Sequence, residues 1–163
     1  MDAVDVDILE ALESNPKLGL DELAVQTGAG KIEVQARITS LEKCGIIRKY
    51  KTVIDWDKAG VEYVHAVIEL KINLERDKGY DVIAKRLSGF EEVRSVRLMS
   101  GGYDLSITVR GKSMREVAFF VAEKISTLEQ VVSTATHFVL KAYKEDGILL
   151  YPQDQIKRLS VSP

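Results

Sequence analysis

Downstream of Gly60, strand-like and helix-like patterns follow one another in an order that few folds can accommodate. Residues 64–73 alternate apolar and polar side chains and are rich in β-branched residues, which is typical of a half-buried strand. Further helical patterns follow at residues 80–87 and 114–125, and further strand patterns at 92–99, 103–111 and 131–144. The order β-α-β-β-α-β predicts a ferredoxin-like domain, in which an antiparallel sheet carries both helices on one face.

The opposite face of such a sheet has no helix to cover it. A small domain with one uncovered sheet face can bury that face against the same face of a second copy. We therefore expect the chain to form a homodimer in which the two sheets pack against each other.

The first sixty residues carry three short helical patterns that are separated by proline and glycine. The first pattern ends at Pro16 and has Asp5 at its predicted N-cap. The second is predicted over residues 20–27 and ends at Gly28, and the third runs to Cys44. Helices joined by a glycine-containing turn indicate a helix-turn-helix, although a plain three-helix bundle fits the same pattern.

The charge of these helices is unevenly distributed, although the whole chain carries only −2. Residues 1–30 hold seven acidic residues and one basic residue, a net charge of −6. Residues 31–51 hold six basic and two acidic residues, a net charge of +4. DNA phosphates would meet this local basic stretch rather than the average charge of the chain. The alternative is that this basic stretch is an ordinary solvent-exposed face.

The outer face of the third helix has few long charged side chains and could lie closely in a major groove. The next segment, residues 46–55, is predicted to form a strand pair or wing whose basic side chains reach phosphates. The candidate DNA-binding residues are Lys31, Gln35, Arg37, Thr39, Ser40, Lys43, Arg48, Lys49 and Lys51. Because Arg37 flanks the buried stripe of the helix, an ion pair with an acid of the first helix is an equal alternative.

Three stretches of this domain, VDVDILEAL, DELAVQTG and VQARITSLEKCGIIRKYKTVID, resemble the N-terminal domain of the Lrp/AsnC family of feast/famine regulators. The shared features are an aspartate before Ile-Leu, Glu-Leu-Ala before a glycine turn, and Arg-Ile, Leu-Glu and Gly-Ile-Ile in that order. The ordered set is specific, whereas any one piece alone would be weak. The resemblance implies a winged helix-turn-helix that binds double-stranded DNA and regulates transcription.

The chain departs from the family at several positions of this domain. The family usually has serine where this chain has Gly19 and Gly30, and the serine hydroxyl caps the second and third helices. The family also often has basic residues where the third helix of this chain carries uncharged ones. We therefore expect DNA binding to rely on Arg37, Lys43 and the segment Arg48–Lys51, and to be weak for an isolated dimer.

The stretches LMSGGYDLSITV and TATHFVLKAYKEDG resemble the family's C-terminal domain, at its Gly-x-Tyr-Asp-Leu turn and its last strand. This resemblance implies dimers and often octamers, with a small effector, commonly an amino acid, bound in clefts between dimers. The implied effector-binding residues are Gly101, Gly102, Tyr103, Asp104, Thr136, His137 and Phe138. Glycine amides would approach a carboxylate, and Asp104 would hold an α-ammonium group. The alternative is a plain hairpin turn, with His137 as a structural histidine.

We interpret the chain as a DNA-binding transcriptional regulator whose second domain oligomerises and senses a small effector. Two alternatives share this architecture. Siroheme decarboxylases place histidine in and after the second strand, where residues 93–108 of this chain contain none. A partner subunit that does not itself bind DNA remains open because of the uncharged third helix. We expect no enzyme activity and no cofactor.

Composition limits the remaining classes. With 45% hydrophobic and 29% charged residues, the chain matches a globular protein with a buried core. The single cysteine excludes an intrachain disulfide, and one cysteine with two histidines predicts no metal site. No apolar run approaches the ~20 residues of a membrane span, and no signal pattern begins the chain, so we expect a cytoplasmic protein. The predicted domains are 1–60 (helix-turn-helix and linker), 61–146 (ferredoxin-like, effector-binding and oligomerising) and 147–163 (C-terminal tail).

Overall fold

The computed structural model describes residues 1–73 and 79–150, which form two compact units, one of Met1–Ile54 and one of the described residues from Asp55 onward. The boundary predicted at residue 60 falls six residues inside the second unit. Of the predicted C-terminal tail, residues 151–163 lie outside the described part of the chain. Each unit has its own apolar core.

Three helices build the first unit: α1 (Ala3–Ser14), α2 (Leu20–Thr27) and α3 (Lys31–Lys43). The bounds predicted for α2 are those observed, because Gly28 ends the helix with a positive φ of 69°. The buried core consists of Ile8, Leu12, Leu23, Val34, Ile38 and Leu41. Each helix contributes to this core, and burying a side chain of this size stabilises a fold by about 1.5–3 kcal/mol. The helix-turn-helix reading is therefore confirmed in its arrangement of helices.

The N-termini of these helices differ in how their free amides are satisfied. Helix α1 begins earlier than predicted, and its N-cap is Asp2 rather than Asp5. The two residues form a reciprocal capping box, in which each carboxylate accepts the other's backbone N–H at 3.1 Å. The N-cap residues Gly19 and Gly30 of α2 and α3 provide no side-chain cap, as the sequence predicted, although the Glu22 carboxylate of α2 accepts the Gly19 N–H at 2.8 Å.

The strand pair predicted after α3 does not form: the structure has no strand between Cys44 and Tyr63, all of which it describes. A single extended segment cannot satisfy its backbone groups in a sheet unless a second strand lies beside it. No such strand lies in the first unit. The basic residues of this segment are therefore carried on turns and irregular chain.

The second unit has the predicted ferredoxin-like order of elements. These are β1 (Val64–Ile72), α4 (Tyr80–Ser88), β2 (Val93–Leu98), β3 (Leu105–Gly111), α5 (Met114–Phe120), a π-helical turn (Val121–Ile125) and β4 (Val131–Val139). The sheet order is β2-β3-β1-β4, and all neighbouring strands are antiparallel. The predicted α+β fold, a helix-turn-helix followed by a βαββαβ domain, is thus confirmed.

Helices cover only one face of this sheet. The buried residues of the central strands β1 and β3, among them Ile68 and Ile107, alternate along each strand and pack with α4 and α5. The intervening residues, such as Val67 and Thr108, lie on the other face and are only half-buried in the single chain. The uncovered face that motivated the dimer prediction is therefore present.

Strand β4 ends at Val139, earlier than the predicted end at residue 144. The chain instead turns at Asp146-Gly147, where both residues have positive φ, and forms a two-stranded hairpin of β5 (Lys144–Glu145) and β6 (Ile148–Leu149). An Asp-Gly pair favours a two-residue hairpin turn, and this local preference ends the long strand that the alternation predicted. Among the described residues, no helix combines the length and apolar character needed to cross a bilayer.

The turn between α2 and α3 gives a test of the first unit. Replacing Gly28 by alanine is expected to lower the free energy of unfolding by about 1–2 kcal/mol, because its φ of 69° strains any residue with a Cβ. Gly28→Asn is the matched control, since asparagine adopts the left-handed region far more readily than alanine. Amide hydrogen exchange in α2 and α3 measures both variants, and equal destabilisation by the two would contradict this account.

Candidate nucleic-acid interface and effector site

Helix α3 buries one face and leaves the opposite face open. Gln35, Ala36, Ser40 and Lys43 are exposed on this outer face, and Thr39 is half-buried. The hydroxyl of Thr39 donates to the backbone carbonyl of Gln35 at 2.9 Å, so it is held along the helix. The outer face therefore carries no charged side chain before Lys43. It can accordingly lie closely in a major groove.

The outer face also includes a residue that the sequence analysis did not single out. Ile32 lies one turn before Ala36 and is 88% exposed. Its spacing of four residues from Ala36, away from the buried stripe, was the signal that could have identified it.

The two ends of α3 carry the basic side chains. At the N-terminal end, Lys31 Nζ lies 2.8 Å from Asp21 Oδ2, an exposed ion pair that links α3 to α2. At the C-terminal end, the exposed Arg48 and Lys49 follow the helix in irregular chain. Exposed ion pairs of this kind are weak, so Lys31 remains accessible to a phosphate.

A tyrosine ties the basic segment to α3. The hydroxyl of Tyr50 donates to Glu42 Oε1 at 2.9 Å, and burial followed by this hydrogen bond raises the pKa of Tyr50. Because Tyr50 stands between Lys49 and Lys51, both exposed, the contact holds the predicted phosphate-binding segment near the end of the helix. The candidates from Lys43 to Lys51 are thus brought together on one end of α3.

Arg37 has a different environment from the other basic candidates. Its Nη1 lies 2.8 Å from Asp2 Oδ1 and 2.9 Å from Asp5 Oδ1, while Nη2 lies 2.8 Å from Glu33 Oε1. The side chain is only 25% exposed. The hydrogen bonds to these carboxylates raise the pKa of Arg37 above its ordinary value, and the bond to Asp5 is the largest cause. Of the two roles left open by the sequence, the structure shows the ion pair with the first helix.

The same network lowers the pKa of both aspartates. For Asp5 the main cause is the hydrogen bond from Arg37, and for Asp2 it is the backbone N–H of Asp5 followed by Arg37. Arg37 also pairs with Glu33, the acidic residue in the first turn of α3, and so offsets part of its charge. Glu33 would otherwise repel a phosphate near the helix N-terminus.

The second group of candidates begins in the turn between β2 and β3. Gly101 and Gly102 are exposed, and nothing lies within 4 Å of where a Cβ would be at either residue. Gly101 has a φ of 150°, which favours glycine. The backbone of this turn is thus open to close approach, as the carboxylate-binding hypothesis requires, and the half-buried Tyr103 adjoins it.

Asp104 is engaged inside the unit rather than free for a ligand. Its Oδ2 accepts the backbone N–H of Ile72 at 2.8 Å, while Oδ1 accepts from Lys71 Nζ at 3.2 Å and from the Tyr80 hydroxyl at 3.3 Å. The Ile72 hydrogen bond is the main cause that lowers the pKa of Asp104. These contacts join the β2–β3 turn to the end of β1 and the start of α4. The structure therefore gives Asp104 an anchoring role that the sequence did not predict.

The three candidates on β4 do not share one surface. Thr136 and Phe138 pair with Ile68 and Ala66, both buried, on the face that the helices cover. His137 lies on the other face, where its Nε2 is 3.3 Å from Glu69 Oε2. Neither set lies beside the Gly101–Asp104 turn, which adjoins Leu70 at the far end of β1. Within one chain, the predicted effector residues therefore form three separate groups.

No group of three or more potential metal ligands is found in the described residues. The arrangement offers two kinds of chemistry instead. One is a helix face with basic ends that fits a DNA groove, and the other is an exposed glycine turn that fits an anionic ligand.

Comparison with known proteins identifies both units by family. Residues 1–48 match the family model for winged helix-turn-helix DNA-binding domains, and residues 65–149 match the model for the Lrp/AsnC ligand binding domain. The uncharacterized HTH-type transcriptional regulator YugG of Bacillus subtilis (strain 168) is 47% identical over 160 residues, which cover 98% of this chain and 96% of that protein. The proline dehydrogenase transcriptional activator of Rhizobium radiobacter is 30% identical over 148 residues, 91% of this chain and 94% of that protein.

Solved structures show the same two-unit architecture. E. coli AsnC superposes with a TM-score of 0.68 at 26% identity, over 89% of this chain and 95% of that chain. The transcriptional regulator NMB0573 of Neisseria meningitidis, in complex with L-Met, superposes with a TM-score of 0.71 at 24% identity, over 91% of this chain and 96% of that chain.

The Arg37 network predicts a pH dependence of the first unit. Because folding lowers the pKa of Asp2 and Asp5 below 3.8, their contribution is present above that pH and is lost as the pH falls through the folded values. In Arg37→Met these pKa values return toward 3.8, so the variant is expected to be less stable at neutral pH and to lose less between about pH 5 and about pH 2.

Thermal unfolding of the wild type and the variant across this range measures the effect. Lys43→Met is the matched control, because Lys43 is an exposed cation of the same helix that takes no part in the Arg37 network. Parallel pH profiles for the wild type and Arg37→Met would contradict the network's role.

Proposed function

This chain belongs to the Lrp/AsnC family of helix-turn-helix transcriptional regulators, and we propose that it acts in the cytoplasm as a homo-oligomer that binds double-stranded DNA and responds to a small effector. The observation that carries the DNA-binding proposal is the outer face of α3, with its uncharged centre and basic ends. Such a face enters the major groove while Lys31 and the basic residues after the helix meet phosphates.

The phosphate-binding set that we propose is Lys31, Lys43, Arg48, Lys49 and Lys51, with Gln35, Thr39 and Ser40 toward the bases. Arg37 is left out because three carboxylates occupy its guanidinium. A unit with so few phosphate contacts binds weakly by itself. Assembly of several units on one DNA offsets this weakness, since the second unit to bind does so at a high effective concentration.

We propose that oligomers begin with the uncovered face of the β1–β4 sheet. That face carries half-buried side chains in the single chain, among them Val67 and Thr108, and a second copy would cover them. The homodimer would then present two helix-turn-helix units, and higher homo-oligomers up to the octamer would present more. The number of units on DNA would set the affinity.

The effector that we propose is an amino acid whose carboxylate binds the backbone amides of the Gly101–Gly102 turn. The turn is exposed and has open backbone, which is the requirement for close approach to an anion. Tyr103 lies next to it, and the exposed His137 would come from a neighbouring chain. An effector of this kind shifts the assembly only if it binds one oligomer better than another.

The DNA-binding proposal predicts the salt dependence of affinity. Titration with DNA from upstream of the protein's own coding sequence, at several salt concentrations, is expected to give a logarithmic slope that Lys43→Gln or Arg48→Gln each reduces by about 0.9 per lost phosphate contact. Lys85→Gln in α4 of the second unit is the matched control and is expected to leave the slope unchanged. Wild-type protein that shows no binding at low salt would favour the partner-subunit alternative.

The effector proposal predicts a loss of amino-acid response without a loss of fold. In Gly102→Ala a methyl group stands where the ligand carboxylate approaches, which is expected to weaken amino-acid binding by about tenfold, the value of one charge-assisted hydrogen bond. Gly79→Ala is the matched control, because it too adds a methyl into open space at an ordinary φ of −66°. Calorimetric titration with a pool of amino acids gives the measurement, and equal heats for all three proteins would refute this site.

A further inference from the structure

The most exposed large apolar side chain of the first unit lies at the start of the proposed recognition helix. Ile32 is 88% exposed, ahead of Val25 at 84% and Met1 at 83% among residues 1–54, all of which the structure describes. It is the second residue of α3 and points away from the Val34–Ile38–Leu41 core stripe. The small side chain of Ala36 follows one turn later on the same face, so no larger group covers it.

The charged residues beside Ile32 form ion pairs with residues that lie outside this face. On one side Lys31 Nζ lies 2.8 Å from Asp21, and on the other Glu33 lies 2.8 Å from Arg37. The surface from Ile32 to Ala36 is consequently formed by methyl and methylene groups. A surface of this kind makes apolar contacts and offers no hydrogen bond of its own.

In the major groove, the apolar group that base edges present to a side chain is the C5-methyl of thymine. We propose that Ile32 is a specificity-determining residue that packs on a thymine methyl in each half-site, with Ala36 allowing the helix to approach. This inference rests on the proposed DNA-binding function and adds the base that the helix reads. The occupant is DNA because the apolar surface lies between the basic ends of α3. There, the positive charges of Lys31 and Lys43 complement the negative charges of the flanking phosphates.

The test replaces thymine by deoxyuridine, which removes the C5-methyl and leaves every hydrogen-bonding group in place. A duplex that binds the full-length protein is first selected from a pool of random double-stranded DNA. Each thymine of the selected duplex is then replaced by deoxyuridine in turn, and the affinity is measured at one fixed salt concentration.

For the wild type we expect one thymine per half-site at which deoxyuridine weakens binding by about fourfold, which is the effect of losing the burial of one methyl group. Ile32→Ala is expected to bind the thymine and deoxyuridine duplexes equally at that position. Ile32→Val keeps a branched side chain and is expected to retain most of the discrimination. Val25→Ala is the matched control, since Val25 is as exposed but lies on α2, and it is expected to discriminate like the wild type.

The outcomes separate this inference from the function on which it rests. If no duplex is selected, the proposed DNA binding fails and the inference fails with it. If a duplex is selected but deoxyuridine has no effect at any position, DNA binding stands and the thymine contact is overturned. If Ile32→Ala keeps the wild-type discrimination, the methyl group is read by another residue and the role of Ile32 is overturned. Because Ile32 lies outside the core, its substitution leaves the fold intact.

Discussion

A single guanidinium group joins the recognition helix to the first helix of its unit. Arg37, on α3, binds Asp2 and Asp5 at the start of α1 and Glu33 on its own helix. The apolar core alone would hold α3 against α1 and α2, but apolar contacts have no direction and permit rotation of a helix. The hydrogen bonds of Arg37 have fixed geometry, so they hold α3 against α1 in the orientation that its buried stripe sets. The composition of the outer face depends on that orientation.

The outer face combines properties that each limit DNA binding when taken alone. Its centre has no charge and would give little affinity, whereas its ends are basic and would give affinity without selectivity. Tyr50 holds the basic segment at one end through Glu42, and Arg37 pairs with Glu33 near the other end. The helix therefore presents a neutral surface to bases and positive charge to the backbone on either side.

Sequence patterns predicted the elements better than they predicted the contacts between them. The bounds of helix α2 and the order of helices and strands along the chain could be foreseen, because glycine, proline and the spacing of apolar residues act locally. The wing was not formed, since a strand depends on a partner that no local pattern reveals. The partners of Asp104 lie 24 to 33 residues away in the chain, and nothing near Asp104 in sequence indicates them. For Arg37, the pattern allowed both a phosphate and an aspartate as partner, and only the packing of α1 against α3 separates them.

The alternating direction of the side chains on β4 affects how many ligands an oligomer could bind. Neighbouring residues on a strand face opposite ways, and the Gly101–Gly102 turn stands at the other end of β1 from Phe138. A pocket that needs both the turn and β4 would be completed only where two chains meet, so the number of pockets would follow the number of junctions between chains. A closed ring of dimers would have as many dimer–dimer junctions as dimers, whereas an open arc of dimers would have one junction fewer. Saturation by ligand would accordingly distinguish ring closure from an arc of the same length.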